Sequence, residues 1–226
     1  MRLVTFGDSY TYGEHLPNPE IQSWPAQLAM LLNCSLVNNA QPGSSNLEIL
    51  TTILNFPFEE NDLVVIGWTY SDRDIIFKEE SFFKKLFNKE NHTVIDKFRI
   101  GAGQKNNKCI DHFYQAHTNF DLSVRSGLYT HHAELFLNSY SINNYHFLSN
   151  IINFDLNYVN SVKGVAKKIA NFIDPWKIKP VWINKPTNLF EDFVFTFRDF
   201  AKDGNHPGIL SHKLAADNLY RLIGRP

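Results

Sequence analysis

Arg2-Leu3-Val4-Thr5-Phe6-Gly7-Asp8-Ser9-Tyr10-Thr11-Tyr12-Gly13 is the stretch whose reading decides the fold. Leu3 to Phe6 is a short apolar and β-branched run stopped by a glycine. That is the sequence form of a strand buried on both faces in a parallel sheet. Gly7 permits a tight exit, Asp8 and Ser9 have side chains that cap a following helix, and Gly13 closes the turn region. Ligand and catalytic groups of open α/β sheets gather at the carboxyl ends of strands. Two readings of Ser9 therefore stand side by side: a nucleophile at a strand end, or a member of an ordinary capping pair.

Outward from this stretch the same pattern repeats. Trp24 and Pro25 open an amphipathic helix through Ala26, Leu28, Ala29, Leu31 and Leu32. Ser35 to Asn38 reads as a second strand, emptying into Asn39-Ala40-Gln41-Pro42-Gly43-Ser44-Ser45-Asn46, a run dense in turn residues. Asn46 is the expected N-cap of a helix to Leu54, with Leu47, Leu50 and Leu54 inward. Asp62 leads into Leu63-Val64-Val65-Ile66-Gly67, the strongest strand signal in the chain. Three strand–loop–helix units in succession predict a right-handed parallel α/β sheet.

From Ser71 to about Gly127 the periodicity degrades. Phe82, Phe83, Leu86 and Phe87 suggest a helix, and Gly101 to Lys108 a polar loop. The region about 71–127 reads as an insertion or lid over the sheet's active edge, within one domain spanning 1–226. Helices are expected at Leu128–Asn138, Tyr145–Val159, Val162–Ile173 and Ile209–Ile223, the last carrying Leu210, Leu214, Leu219 and Leu222. Pro180 to Asn184 reads as a late strand.

Composition narrows the function classes. The 226 residues are 43% hydrophobic and 20% charged, ordinary for one soluble globular domain. With 22 basic and 23 acidic residues the net charge is -1, so no basic field exists to hold a nucleic-acid backbone. No apolar run approaches the roughly 20 residues of a membrane span. The start of the chain has no signal-type apolar region, so a soluble cytoplasmic or otherwise intracellular protein is expected. Cys34 and Cys109 offer neither metal-ligand spacing nor a disulfide framework. His131-His132 with Glu134 lacks the i, i+4 pairing of a helical zinc site, and Asp72 with Asp74 lacks the rest of a calcium loop. Phosphate-loop and dinucleotide glycine motifs are missing, so neither metal nor cofactor is expected.

A second informative stretch lies near the other end, Asp203-Gly204-Asn205-His206-Pro207-Gly208. An aspartate three residues before a histidine can orient one imidazole nitrogen and leave the other for a serine hydroxyl. A turn with an incidental histidine is the alternative, since the chain has nine.

Taken together, Gly7-Asp8-Ser9 resembles the GDSL-type signature and Asp203-x-x-His206 resembles that family's closing block. Ala40 to Asn46 is similar to the block that supplies the family's glycine. On these three ordered blocks the chain resembles the SGNH hydrolases, also called GDSL esterases and lipases. The resemblance implies a flavodoxin-like α/β/α sandwich of three layers around a mostly parallel sheet of about five strands. It implies Ser9 as nucleophile, His206 as general base and Asp203 as its orienter, with the amides of Ser9 and Gly43 as oxyanion donors. One block departs from the pattern. Where the family has Gly-x-Asn-Asp, this chain has Gly67-Trp68-Thr69-Tyr70. The Thr69 hydroxyl and the Asn46 amide are the two candidates for the third donor. Asp8, Trp68, Tyr70 and Arg73 are the candidate substrate contacts: the two aromatics read either as core residues or as a sugar platform at the cleft rim, and Arg73 either as a solvated charge or as a group steering an acidic substrate. The function implied is a serine esterase deacylating a carboxylic ester, with a carbohydrate ester suggested by the aromatic rim. Two rivals remain, a non-catalytic carbohydrate-binding protein on the same scaffold and an acyltransferase that delivers the acyl group to a sugar.

Overall fold

A computed structural model describes residues 1–71, 73–79, 95–100, 113, 115–117, 119–148, 195 and 197–224. The expected helices around 82–87 and 162–173, the loop 101–108, the strand 180–184 and Asp72 lie outside these residues.

The described elements in chain order are β1 (Arg2–Phe6), α1 (Ser9–Tyr12), α2 (Pro19–Gln22), α3 (Trp24–Leu32), β2 (Ser35–Asn38), α4 (Asn46–Leu54) and β3 (Asp62–Trp68). There follow β4 (Asp74–Glu79), β5 (Ile95–Ile100), α5 (Asn119–Ser139), β6 (Asn143–Leu148) and α6 (Ile209–Ile223). The main sheet runs β2-β1-β3-β6. All of its pairings are parallel, with Leu3 opposite Leu36 on one side and Leu63 on the other. Four described strands thus form the mostly parallel sheet expected from the sequence. The strands β4 and β5 pair antiparallel in a separate two-stranded sheet inside the region read as an insertion.

Side-chain alternation along the strands builds the three layers. Leu3, Leu63 and Val65 face α3 and α6, where Trp24, Leu28, Ala29, Ala215, Ala216 and Leu219 close one core. Val4, Phe6, Val64 and Ile66 face α4 and α5, where Ile49, Leu50, Ile53, Ala133 and Leu137 close the other. Both sheet faces are covered, so β1 and β3 can be continuously apolar.

Several expectations are corrected. The segment beginning at Tyr145, expected as helix, is the strand β6 in its described part. Its alternate residues Asn144 and His146 are buried polar groups that hydrogen-bond each other, which hides the strand pattern. The helix expected at Leu128–Asn138 starts earlier, at Asn119. The helix α4 is capped by Ser45 rather than Asn46, with Glu48 completing a reciprocal capping box. Its inward residues are Ile49, Leu50 and Ile53, while Leu54 is exposed. Leu31 of α3 and Leu210 and Leu222 of α6 also face solvent, and α6 buries Ser211, His212, Ala215, Ala216 and Leu219 instead. Among the described residues no helix is long and apolar enough to cross a membrane.

Candidate active site

Chain order reverses between β1 and β3, because β2 lies on one side of β1 and β3 on the other. The carboxyl ends of these two strands therefore flank the crevice where open α/β sheets take ligands. Ser9 sits there as the first residue of α1, itself only 3% exposed.

The turn from β1 into α1 is set by close packing. A Cβ on Gly7 would lie 2.1 Å from Thr11 Oγ1 and 2.9 Å from the Gly67 carbonyl. One on Gly67 would lie 2.7 Å from the same hydroxyl. Only two glycines let Thr11 wedge between the strand ends, and this holds α1 against the sheet. Asp8 caps the helix by accepting from Tyr10 N at 3.0 Å. Gly13 then turns left-handed at φ 83, and its N–H and that of Glu14 both donate to the Ser9 carbonyl.

Asp8 has no exposed surface, and its second oxygen accepts from Thr69 Oγ1 at 2.7 Å and Arg73 Nη1 at 3.1 Å. Arg73 also donates to Thr69 Oγ1, and its guanidinium lies 5.1 Å from the centre of the Tyr70 ring. Asp8, Thr69 and Arg73 form one closed knot under the strand ends, with Tyr70 half-buried against it. Asp8 is a structural acceptor here and not a substrate contact. The Thr69 hydroxyl spends its proton on Asp8, so it is not aimed at an oxyanion.

Asn46 is likewise engaged. Its Oδ1 accepts from Thr69 N at 2.9 Å, while its Nδ2 donates to Thr69 O at 3.1 Å and to Ser126 Oγ at 3.1 Å. Both amide protons are used, so Asn46 does not stand in as a third oxyanion donor. Trp68 is corrected too. It is 1% exposed, stacked on His146 and donating to His146 Nδ1 at 3.1 Å, so it belongs to the core and not to a rim. His146 in turn meets Asn144 Oδ1 at 2.8 Å, which makes Nε2 the protonated nitrogen. Burial pushes its pKa down to about 3.

Gly43 lies on the exposed loop between β2 and α4, in a left-handed conformation at φ 74. Among the described residues, neither the Ser9 nor the Gly43 N–H donates to another backbone group. They are the two amides that the family resemblance implies as oxyanion donors.

On the other side of Ser9 stands the loop before α6. Asp203 Oδ1 accepts from the N–H groups of Asn205 and His206, closing a tight turn. Its Oδ2 lies 2.5 Å from His206 Nδ1. Partial burial pushes the Asp203 carboxyl up, but the bonds from His206 and Asn205 outweigh it and hold the pKa at about 2. Facing the Asp203 carboxylate, Nδ1 carries a ring proton, which leaves Nε2 as the nitrogen turned away from Asp203. The His206 ring packs edge-on to Tyr10, the neighbour of Ser9, with centroids 5.7 Å apart. Its Nε2 meets Glu14 Oε2 at 3.3 Å, and no hydrogen bond joins it to Ser9 among the described residues. The structure thus brings Ser9, Asp203 and His206 to one end of the sheet.

Four residues near this end escaped the sequence reading. Glu14 and His15 are carried to His206 by the left-handed turn at Gly13, for which the glycine was the available signal. Asp199 accepts from Leu210 N and Ser211 N at the start of α6, and Gly208 is required because a Cβ there would lie 2.4 Å from that carboxylate. Burial raises the Asp199 pKa, yet the bonds from Leu210 and Ser211 leave it lowered. His212 accepts from Trp24 N through Nδ1 at 3.0 Å, and burial lowers its pKa to about 4.

The same architecture recurs in known structures. TesA matches with a TM-score of 0.56 at 13% identity, over 99% of this chain and 98% of that one. A member of the lipolytic G-D-S-L family from Veillonella parvula DSM 2008 matches with a TM-score of 0.51 at 14% identity, over the whole of both chains. The fold is that of the SGNH hydrolases. A carbohydrate esterase described as having divergent catalytic and non-catalytic binding functions shares this SGNH fold, with a TM-score of 0.55 at 13% identity over 100% of this chain and 68% of that one. No family model matches the sequence, and no curated protein matches it. The chain thus shares this fold with proteins to which its sequence is only 13 to 14% identical.

Proposed function

We propose that the protein is a serine esterase that cleaves a carboxylic ester through an acyl-enzyme on Ser9. The observation that carries this reading is the Asp203–His206 pair beside the Ser9 turn, in which the carboxylate holds Nδ1 and so supports Nε2 as the nitrogen that serves as base once it leaves Glu14. Ser9 Oγ attacks the acyl carbonyl as His206 Nε2 takes its proton. The oxyanion rests on the Ser9 and Gly43 amides. Collapse expels the alcohol, which takes the proton back from His206, and water repeats the cycle to release the acid. His206 must turn from Glu14 to Ser9 for this step.

With Thr69 and Asn46 bonded elsewhere, the oxyanion hole has two donors. A third donor is typically worth about 3 kcal/mol of barrier, so turnover about a hundredfold below a three-donor site is expected. The carbohydrate esterase that shares the fold supports a sugar as the acyl carrier. An aromatic platform does not add to that support, because Trp68 is internal.

Hydrolysis of a short-chain aryl ester by wild type and Ser9→Ala tests the reading. The variant should lose activity by roughly three orders of magnitude or more, and His206→Ala similarly, because such residues act as one unit. Equal activity in wild type and Ser9→Ala overturns the mechanism. Stoichiometric fluorophosphonate labelling of Ser9 separates an esterase from a carbohydrate-binding protein with a dead site. Products formed with acceptor sugars present separate hydrolysis from acyl transfer.

A further inference from the structure

We propose that Glu14, His15 and His206 form a binding site for a divalent transition-metal ion of the zinc type, set across the mouth of the candidate active site. The three side chains come from two distant parts of the chain, the turn after α1 and the loop before α6. Their ligand atoms all lie within 4.8 Å of one another. Glu14 Oε2 is 3.3 Å from His206 Nε2, and Glu14 Oε1 is 3.9 Å from His15 Nε2. Ligands held about 2.0–2.1 Å from a tetrahedral zinc are separated by about 3.4 Å, so small side-chain rotations close the set.

The chemistry of the donors fits. Two imidazoles and one carboxylate are a borderline set that favours zinc or copper over magnesium or calcium, which prefer all-oxygen shells. The remote nitrogen of His206 is held by Asp203 at 2.5 Å, the carboxylate–histidine arrangement that fixes a metal-binding tautomer. Asp203 Oδ2 also lies 3.8 Å from His15 Nε2, placing a second negative group beside the pair of rings. The side chains of Glu14, His15 and His206 keep 32, 45 and 20% of their surface exposed, so an ion can enter from solvent and hold water at its fourth position.

A metal here takes the lone pair of His206 Nε2. This consequence rests on the proposed role of that nitrogen as the base for Ser9: ester cleavage and metal occupancy then exclude each other, and the ion is an inhibitor.

The test uses the full chain stripped with EDTA and titrated with zinc chloride, binding being read by calorimetry and by competition with a zinc-responsive dye. Wild type should bind one ion, and Glu14→Gln and His15→Gln should each bind at least about tenfold more weakly. Magnesium in place of zinc should give no heat. Zinc binding of equal strength in wild type and both variants places the ion elsewhere and overturns the site, as does the absence of binding. In parallel, the ratio of zinc-treated to EDTA-treated ester hydrolysis should fall in wild type and stay near one in His15→Gln. One-site binding lost in the variants, with no hydrolysis under any condition, upholds the metal site and sinks the esterase reading. Robust hydrolysis without zinc binding does the reverse.

Discussion

Lowering the pH from about 7 to about 5 asks His146 and His212 to accept protons at fully buried positions. His146 sits between Trp68 and Asn144, and His212 accepts from the first backbone N–H of α3. Burial lowers their pKa values from 6.5 to about 3 and about 4. The unfolded chain therefore takes up these protons near pH 6.5, while the folded chain refuses them until the pH is far lower. Stability from each ring is complete above pH 6.5 and lost as the pH falls toward the folded value. Each pH unit in that window costs about 1.4 kcal/mol per histidine. By pH 5 the loss is about 2 kcal/mol for each ring and about 4 for both, a large part of the 5–15 kcal/mol that holds a typical domain. Urea unfolding followed by circular dichroism at several pH values measures this directly. The comparison is wild type against His212→Asn, whose amide oxygen can still accept from Trp24 N. Below pH 6.5 the variant's stability should fall less steeply than wild type by about 1.4 kcal/mol per pH unit. Parallel curves for the two proteins would refute the claim that His212 is held neutral by its surroundings.

Two further substitutions probe the frame of the site. Gly7→Ala places a methyl group against Thr11 and the Gly67 carbonyl, and should cost about 3 kcal/mol in urea unfolding along with most ester hydrolysis. An alanine accepted at no cost would show that α1 is free to move off the sheet. Asp62→Ala removes one of the two carboxylates that hold Arg2, which donates to both Asp62 oxygens at 2.8 and 2.7 Å and meets Glu59 at 2.7 Å, at the opposite end of β1 and β3. Since Arg2 keeps partial access to water, the expected loss is about 2 kcal/mol, below that of a fully buried pair. Hydrolysis by the folded protein should not change.

The parts of the fold legible in the sequence are those whose partners are near or whose burial is uniform. The strands β1 and β3 carry near-continuous apolar runs, Leu3 to Phe6 and Leu63 to Ile66, because helices cover both faces, and a glycine follows each run at the crevice. The strand β6 was not legible. Asn144 and His146 look like surface residues until Trp68, 78 positions before His146, and Asn138 are seen to satisfy them. The inward face of α6 misled for the same reason. Ser211 is buried because Asp199 accepts from it, and His212 because Trp24 N donates to it. At the candidate site, the strand end at Gly7 and the turn at Gly204 left local signatures, while joining Ser9, Asp203 and His206 into one site rested on the family resemblance. Glu14 could not be read, since its proximity to His206 depends on how two turns meet in space. The burial of Trp68 was equally invisible, because an aromatic at a strand end serves a core and a cleft alike.

Asn46 faces the Thr69 peptide with an acceptor toward its N–H and a donor toward its C=O, as a neighbouring strand would. One side chain thus extends the sheet by a single rung, into the loop that carries Gly43 three residues earlier. The amide of Gly43 is thereby referenced to the end of β3, the same edge against which Gly7 and Thr11 register Ser9. Both proposed donors then share one rigid datum, and the spacing between them is fixed by backbone geometry. If Ser9 and Gly43 are the two donors proposed above, a fixed spacing between them is what that role requires. Asn46 works here as a gauge block between the end of β3 and the loop that carries Gly43.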